Sequence, residues 1–311
     1  MKKEQILTKG WVVALLAMVS CSLWGSAFPC IKIGYSMFGI GAEEVSSQIL
    51  FAGVRFTLAG VLSIVFESII EKRVLLPKKS SVRNIFKLCM MQTVVQYLFF
   101  YIGLAHASGV ASSIITGTNS LLAILIASLI FHQEKLTVPK LTGCLVGLAG
   151  VVFANLGEGF GGAMHLTGEG FVFIAALFYA VSSIYLKKYS VQDDPVMLSG
   201  YQFLIGGLIL TGIGYFMGGK LYGFTWQSTL LLLYLGLLSA MAYALWGILL
   251  KYNPVSKVAI YGFTNPVIGV LLSALLLHEG GQAFSFKNLC ALLLVCAGII
   301  IVNRWKLPQK Q

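Results

Sequence analysis

The sequence predicts an all-α integral membrane protein of ten transmembrane helices, arranged as a 5+5 inverted repeat around a central cavity. Three observations lead there. Hydrophobic residues make up 58% of the 311 and charged residues 11%, with mean hydropathy +0.87; soluble domains carry roughly 25% charged residues. The charges stand in short clusters, and the stretches between them are long enough to cross a bilayer. A span takes about 20 apolar residues, each adding about 1.5 Å against a core about 30 Å thick. Finally, Gly157–Gly170 (GEGFGGAMHLTGEG) is glycine-rich, holds two glutamates and no basic residue, and separates two tracts that echo each other. Read as a loop, it leaves five spans on each side. An odd number of spans forces the second copy to insert upside down, the geometry of carriers whose sites lie between the halves near the midplane.

The spans in order are about 11–33, 46–70, 84–106, 108–131, 139–157, 168–187, 197–218, 226–250, 255–278 and 286–304. The stretch from Lys87 to Glu134 has no formal charge and is long enough for two crossings; the third and fourth spans are divided at Ala107-Ser108-Gly109, read as the tight turn. This gives a first five-helix unit over 1–157, an external connection over 158–169 and a second unit over 170–311. Lys2 and Lys3 followed by an apolar run resemble a signal peptide, but no small-x-small cleavage site follows, so the run is read as the retained first span.

Lysine and arginine set the orientation. Eighteen of the 22 fall at one set of span ends, among them Lys72, Arg73, Lys78, Lys79, Arg83 and Lys87. Only Lys220 and Lys287 fall at the other, while Lys32 and Arg55 lie within or near spans. Both termini are therefore expected in the cytoplasm of a cell whose inner membrane the chain crosses. A net charge of +11 placed this way is a topology signal and does not suggest nucleic acid. The six cysteines all fall in predicted spans without a CxxC–histidine pattern, so no metal or redox cofactor is expected.

An internal repeat is visible. Gly53, Arg55, Phe56 and Gly60 answer to Gly200, Gln202, Phe203 and Gly207 at an offset of 147. Thr118-Asn119 answers Thr264-Asn265, and His132 answers His278, at 146; Gly150 and Asn155 answer Gly298 and Asn303 at 148.

Leu23-Trp24-Gly25-Ser26-Ala27-Phe28, Ile31-Lys32-Ile33-Gly34, Arg55-Phe56 and Ala59-Gly60 resemble the first half of the EamA family, within the drug/metabolite transporter superfamily. Thr118-Asn119 with Glu134-Lys135-Leu136-Thr137 is similar to that family's fourth span and the loop after it, and Asn265-Pro266 with His278-Glu279 is a weaker second copy. The resemblance covers nearly the whole chain. It implies an inner-membrane carrier with ten helices around a central cavity, exporting amino acids or other small metabolites, and does not fix the substrate.

Several residues are candidates for contact with a small-molecule substrate. Arg55 is a charge within a span, where insertion costs about 2.5–3.5 kcal/mol and the side chain usually faces a cavity or a partner. It could attract a carboxylate, or instead snorkel to the nearby span end or bond backbone carbonyls. Lys32, nearer the boundary, reads first as an interfacial anchor and second as a further cavity cation. Trp24, Ser26 and Pro29 lie within two turns; proline frees a backbone carbonyl, and Pro266 beside Asn265 repeats the arrangement. Gln92 and Gln96 share one face of the third span, Tyr97 and Tyr101 the neighbouring one, and buried amides belong in the bundle interior. Tyr179 and Ser183, Tyr243 and Trp246, Tyr261, and the amides Asn119 and Asn265 extend the lining. Desolvated aromatic faces hold an ammonium with about 2 kcal/mol. Each polar residue also has a plain alternative in interhelical hydrogen bonding or packing.

No acidic residue lies mid-span, which argues against a carboxylate-driven drug/proton antiporter; coupling through His106 stays open. No Walker phosphate loop, HExxH or nucleophile elbow is present, so neither an ATP-driven pump nor an enzyme is expected. The expectation is an amino-acid or small-metabolite exporter working by alternating access, with an exporter of hydrophobic drugs or toxic compounds as the alternative. Lipids are its expected surroundings, and a monomer is expected, with dimerisation through a helix face left open.

Overall fold

A computed structural model describes residues 3–132, 135–155, 165–255, 258, 260–277 and 285–304, and among these every regular element is helical. A one-turn helix, Lys3–Leu7, precedes ten longer segments: α1 Gly10–Met37, α2 Val45–Ile70, α3 Lys79–His106, α4 Gly109–Leu129, α5 Val138–Asn155, α6 Leu166–Tyr189, α7 Pro195–Phe216, α8 Trp226–Tyr252, α9 Thr264–Leu276 and α10 Phe286–Arg304. Seven of them are long and apolar enough to cross a membrane; the described apolar parts of α5, α9 and α10 are shorter. The protein is thus a multi-pass helical membrane protein. Residues 158–164 of the expected 158–169 connection, and His278, Glu279 and Lys257, lie outside the described residues.

Local chemistry sets the boundaries. At the α3–α4 turn Ser108 caps α4 by accepting from the Ala111 amide at 3.0 Å. Asp194 accepts from the Val196 and Met197 amides at 2.8 and 3.0 Å, and Pro195 takes the first helical position, where its missing N–H is not needed. Thr225 and Ser228 form a reciprocal capping box at the start of α8. The seventh helix ends at Gly218, whose φ of +83° suits glycine.

Helix pairing runs largely through glycine, as packing without a hydrophobic drive between helices requires. A Cβ at Gly60 would overlap the Leu204 backbone, and one at Gly207 would overlap Thr57. Residues 57 and 204 are themselves 147 apart, so the two contacts are reciprocal. Gly200 against Ile64 and Gly53 against Thr211 repeat the relation. In the α5–α10 pair Gly150 abuts Ala291 and Val295, and Gly298 abuts Gly143 and Gly147, again reciprocal at 148. At the centre, repeat-matched aromatics touch. Phe56 stacks on Phe203 at 5.2 Å, and the hydroxyls of Tyr97 and Tyr243, 146 apart in sequence, share a 2.5 Å hydrogen bond.

Candidate functional site

Two segments depart from α-helical geometry where they reach the centre. The fourth turns at Gly117-Thr118 between helical pieces Gly109–Thr116 and Asn119–Leu129. The ninth begins at Thr264 after a 3-10 turn over Ile260–Phe263. The first break includes Thr118 of the repeated Thr-Asn pair, and the second stands immediately before Thr264 of its counterpart. Within the ninth span expected over 255–278, regular α-helix thus begins at Thr264, and neither Pro29 nor Pro266 marks a break. Pro29 lies inside an unbroken α1, and Pro266 lies in the first turn of α9, where a proline removes no intrahelical bond.

Between these breaks lies a cavity of about 80 Å³, counted as the space open to a water's centre; one water needs about 10–15 Å³ on that measure. From α1 it is lined by Cys21, Trp24, Ala27 and Phe28; from α2 by Arg55; and from α3 by Gln96, Tyr97 and Phe100. Thr116 and Asn119 of α4 and Ala175, Ala176 and Tyr179 of α6 continue it, and Tyr243 and Trp246 of α8 with Gly262 and Asn265 close the ring. Trp24 is the hub of the aromatic wall, with ring centroids 5.1 Å from both Tyr243 and Trp246 and 6.0 Å from Tyr179. Trp24, Gln96, Asn119 and Asn265 each carry one buried polar atom (Nε1, Oε1, Oδ1 and Oδ1) with no protein partner.

Arg55 is 3% exposed and borders this space. Its Nε donates to the Leu235 carbonyl at 3.1 Å, one Nη to the Tyr101 hydroxyl at 2.5 Å and the other to Ser239 Oγ at 2.8 Å. The guanidinium also lies 5.1 Å from the Phe56 ring centroid. No carboxylate among the described residues lies within 4.0 Å of it. Three neutral acceptors therefore hold a buried cation in a fixed orientation and leave its charge unneutralised. Of the alternative reading, the side chain does not snorkel outward, but it does bond a backbone carbonyl, that of Leu235.

The other candidates divide. Trp24, Gln96, Tyr97, Asn119, Tyr179, Tyr243, Trp246 and Asn265 border the cavity with Arg55. Tyr101 stands one layer behind, bonding Arg55 while its own carbonyl accepts from the Tyr35 hydroxyl at 3.0 Å. Gln92 accepts from Gln202 Nε2 at 2.6 Å between α3 and α7, an interhelical role. Ser26 Oγ pairs with Tyr234 OH at 2.7 Å in an outward-facing groove between α1 and α8. Pro29 and Ser183 are buried away from the cavity, and Lys32 and Tyr261 are half-buried outside it. His106 donates from Nδ1 to the Ile102 carbonyl at 2.9 Å and sits 3.6 Å from the exposed Glu43, at the end of α3 rather than in the cavity. Sequence reasoning missed Cys21, Ala27, Phe28, Phe100, Thr116, Ala175, Ala176 and Gly262. Phe100 had a signal: it matches Trp246 at the offset of 146.

A multi-pass helical bundle with broken helices meeting at a polar-aromatic cavity is the architecture of a membrane transporter. The EamA-like transporter family matches residues 11–156 and again 166–304, and the chain belongs to that family. Among its relatives, an uncharacterized transporter YvbV of Bacillus subtilis is 27% identical over 307 residues, covering 96% of this chain and 93% of that protein. A protein of Salmonella typhimurium named a probable amino-acid metabolite efflux pump is 25% identical over 301 residues, covering 92% and 93%. A solved crystal structure, 19% identical, shares the fold with a TM-score of 0.65 over 93% of this chain and 95% of that one.

Proposed function

We propose that this transporter is a secondary carrier exporting small zwitterionic metabolites, amino acids foremost, across the cytoplasmic membrane by alternating access. Its ten helices form two inverted units, 1–157 and 170–311, joined by an external 158–169 segment, with both termini cytoplasmic. The observation that carries the reading is the cavity itself: an unneutralised guanidinium, an aromatic wall and four residues with unmet polar atoms, all lining one cavity. Each unmet buried atom costs about 1–3 kcal/mol, a cost that cargo with both donors and acceptors removes on entry. Arg55 biases the cavity toward a carboxylate; the amides of Gln96, Asn119 and Asn265, with the Trp24–Tyr243–Trp246 wall, suit an ammonium.

The reciprocal glycine contacts and the paired breaks at Thr118 and Thr264 support a twofold relation between the halves, and the odd number of spans in each proposed half makes that relation an inverted one. The name of the Salmonella relative supports the cargo class. The test is counterflow in proteoliposomes loaded with neutral amino acids, with one labelled amino acid outside at a time. Saturable accumulation supports the reading; none for any member, with accumulation of lipophilic compounds, would move the assignment to the drug exporter.

A further inference from the structure

The connection from α2 into α3 carries the densest run of cations in the chain, and the cavity does not use it. The third helix runs from Lys79 to His106, 28 residues, or about 42 Å at about 1.5 Å per residue. That exceeds an apolar core of about 30 Å. Counting back from His106, which faces the exposed Glu43, the far edge of the core falls near Lys87. The Lys79–Leu88 stretch therefore stands in the headgroup layer.

Its faces are sharply divided. Ser81, Ile85 and Leu88 are buried, with Ser81 Oγ donating to Asp193 Oδ1 at 2.6 Å. Lys79, Arg83 and Lys87 form an exposed stripe at i, i+4, i+8, and beside it Val82 and Phe86 are 52% and 54% exposed. The preceding loop adds exposed Lys78, Val74 and Leu76 around a buried Leu75. It is held in place because the Leu75 amide donates to Ser68 Oγ at 3.0 Å and Tyr201 OH donates to the Leu75 carbonyl at 2.8 Å. Like charges at i, i+4 repel. No carboxylate among the described residues lies within 4.0 Å of Lys78, Lys79, Arg83 or Lys87.

We propose that this surface docks anionic phospholipid, the phosphate headgroup against Lys79, Arg83 and Lys87 and the acyl boundary against Val82 and Phe86. Charge complementarity chooses this occupant: a preformed cationic stripe with an apolar stripe alongside, at headgroup depth, matches an anionic lipid in both charge and layering. A zwitterionic lipid would leave the stripe unneutralised, and a soluble anion would leave Val82 and Phe86 uncovered.

The test is a thermal melt of the delipidated full-length protein in detergent, titrated with phosphatidylglycerol, phosphatidylcholine or inorganic phosphate. Phosphatidylglycerol should raise the midpoint, and K79Q/R83Q/K87Q should shift the half-effect concentration about a hundredfold, at roughly fivefold per cation removed. An unshifted titration in that variant, an equal effect of phosphatidylcholine, or reproduction by inorganic phosphate would each overturn the proposal. Should the triple variant fail to fold, the wild type decides the matter in about 0.5 M NaCl, which screens exposed charges. Loss of the preference for phosphatidylglycerol supports the docking, and its persistence overturns it.

Discussion

Arg55 shows how a single buried charge can be held with no carboxylate within 4.0 Å among the described residues. Its three bonds come from a carbonyl and two hydroxyls on α8 and α3, so the fork is oriented while the charge stays available. Arg55→Ala should lower counterflow at least tenfold with the membrane level of the protein unchanged. Arg55→Lys keeps the charge but cannot reproduce the fork, because an ammonium is a point donor, and should fall between. Wild-type flux in both would make Arg55 a structural residue. The sequence marked this position because an intramembrane charge is rare, and it marked Asn119 and Asn265 because a polar pair repeated at one offset is not explained by apolar composition. It misplaced Gln92, Ser26 and Tyr101, since a polar side chain reads the same from sequence whether it lines a cavity or bonds a neighbouring helix. Ala175 and Ala176 carry no sequence signal, because alanine borders a cavity only through where its helix is placed.

At the scale of elements, α2 and α7 approach so closely that their glycines touch backbone. Adding a side chain at Gly60 or Gly207 must push the helices apart, whereas Gly212 on the same helix as Gly207 has nothing within 4 Å of a Cβ. Gly60→Leu and Gly207→Leu should each cost about 1–3 kcal/mol as overpacking, read as a fall in the detergent melting midpoint, and Gly212→Leu should leave the midpoint nearly unchanged. Equal effects at all three would remove the close-packing account. Span positions were legible to within a few residues, because hydropathy and caps are local. The break in α9 was not: Pro266 drew attention to the right turn for the wrong reason, since the interruption precedes Thr264 and is shared with α4, which has no proline there.

For the whole molecule, the cavity sits where the repeat-matched residues converge: Tyr97 on Tyr243, Phe56 on Phe203, with Asn119 and Asn265 bordering the same space. On the side of the α1–α2 loop, Tyr35, Phe51 and Tyr101 form a packed aromatic layer. On the opposite side Val13, Ile85, Leu88 and Leu249 are packed together. The alternating access proposed for this protein requires each layer to part in turn, around the repeat-matched contacts at the centre.

Cys21 lines the cavity, packs within the second of these layers and is 1% exposed, so it becomes reachable only when that layer parts or the cavity opens. The decisive measurement is labelling of a variant that retains Cys21 alone, with an impermeant maleimide, in right-side-out and inside-out vesicles. The account predicts slow labelling from both faces, suppressed by a transported cargo. Labelling from one face only, unchanged by any cargo, would contradict alternating access through this cavity.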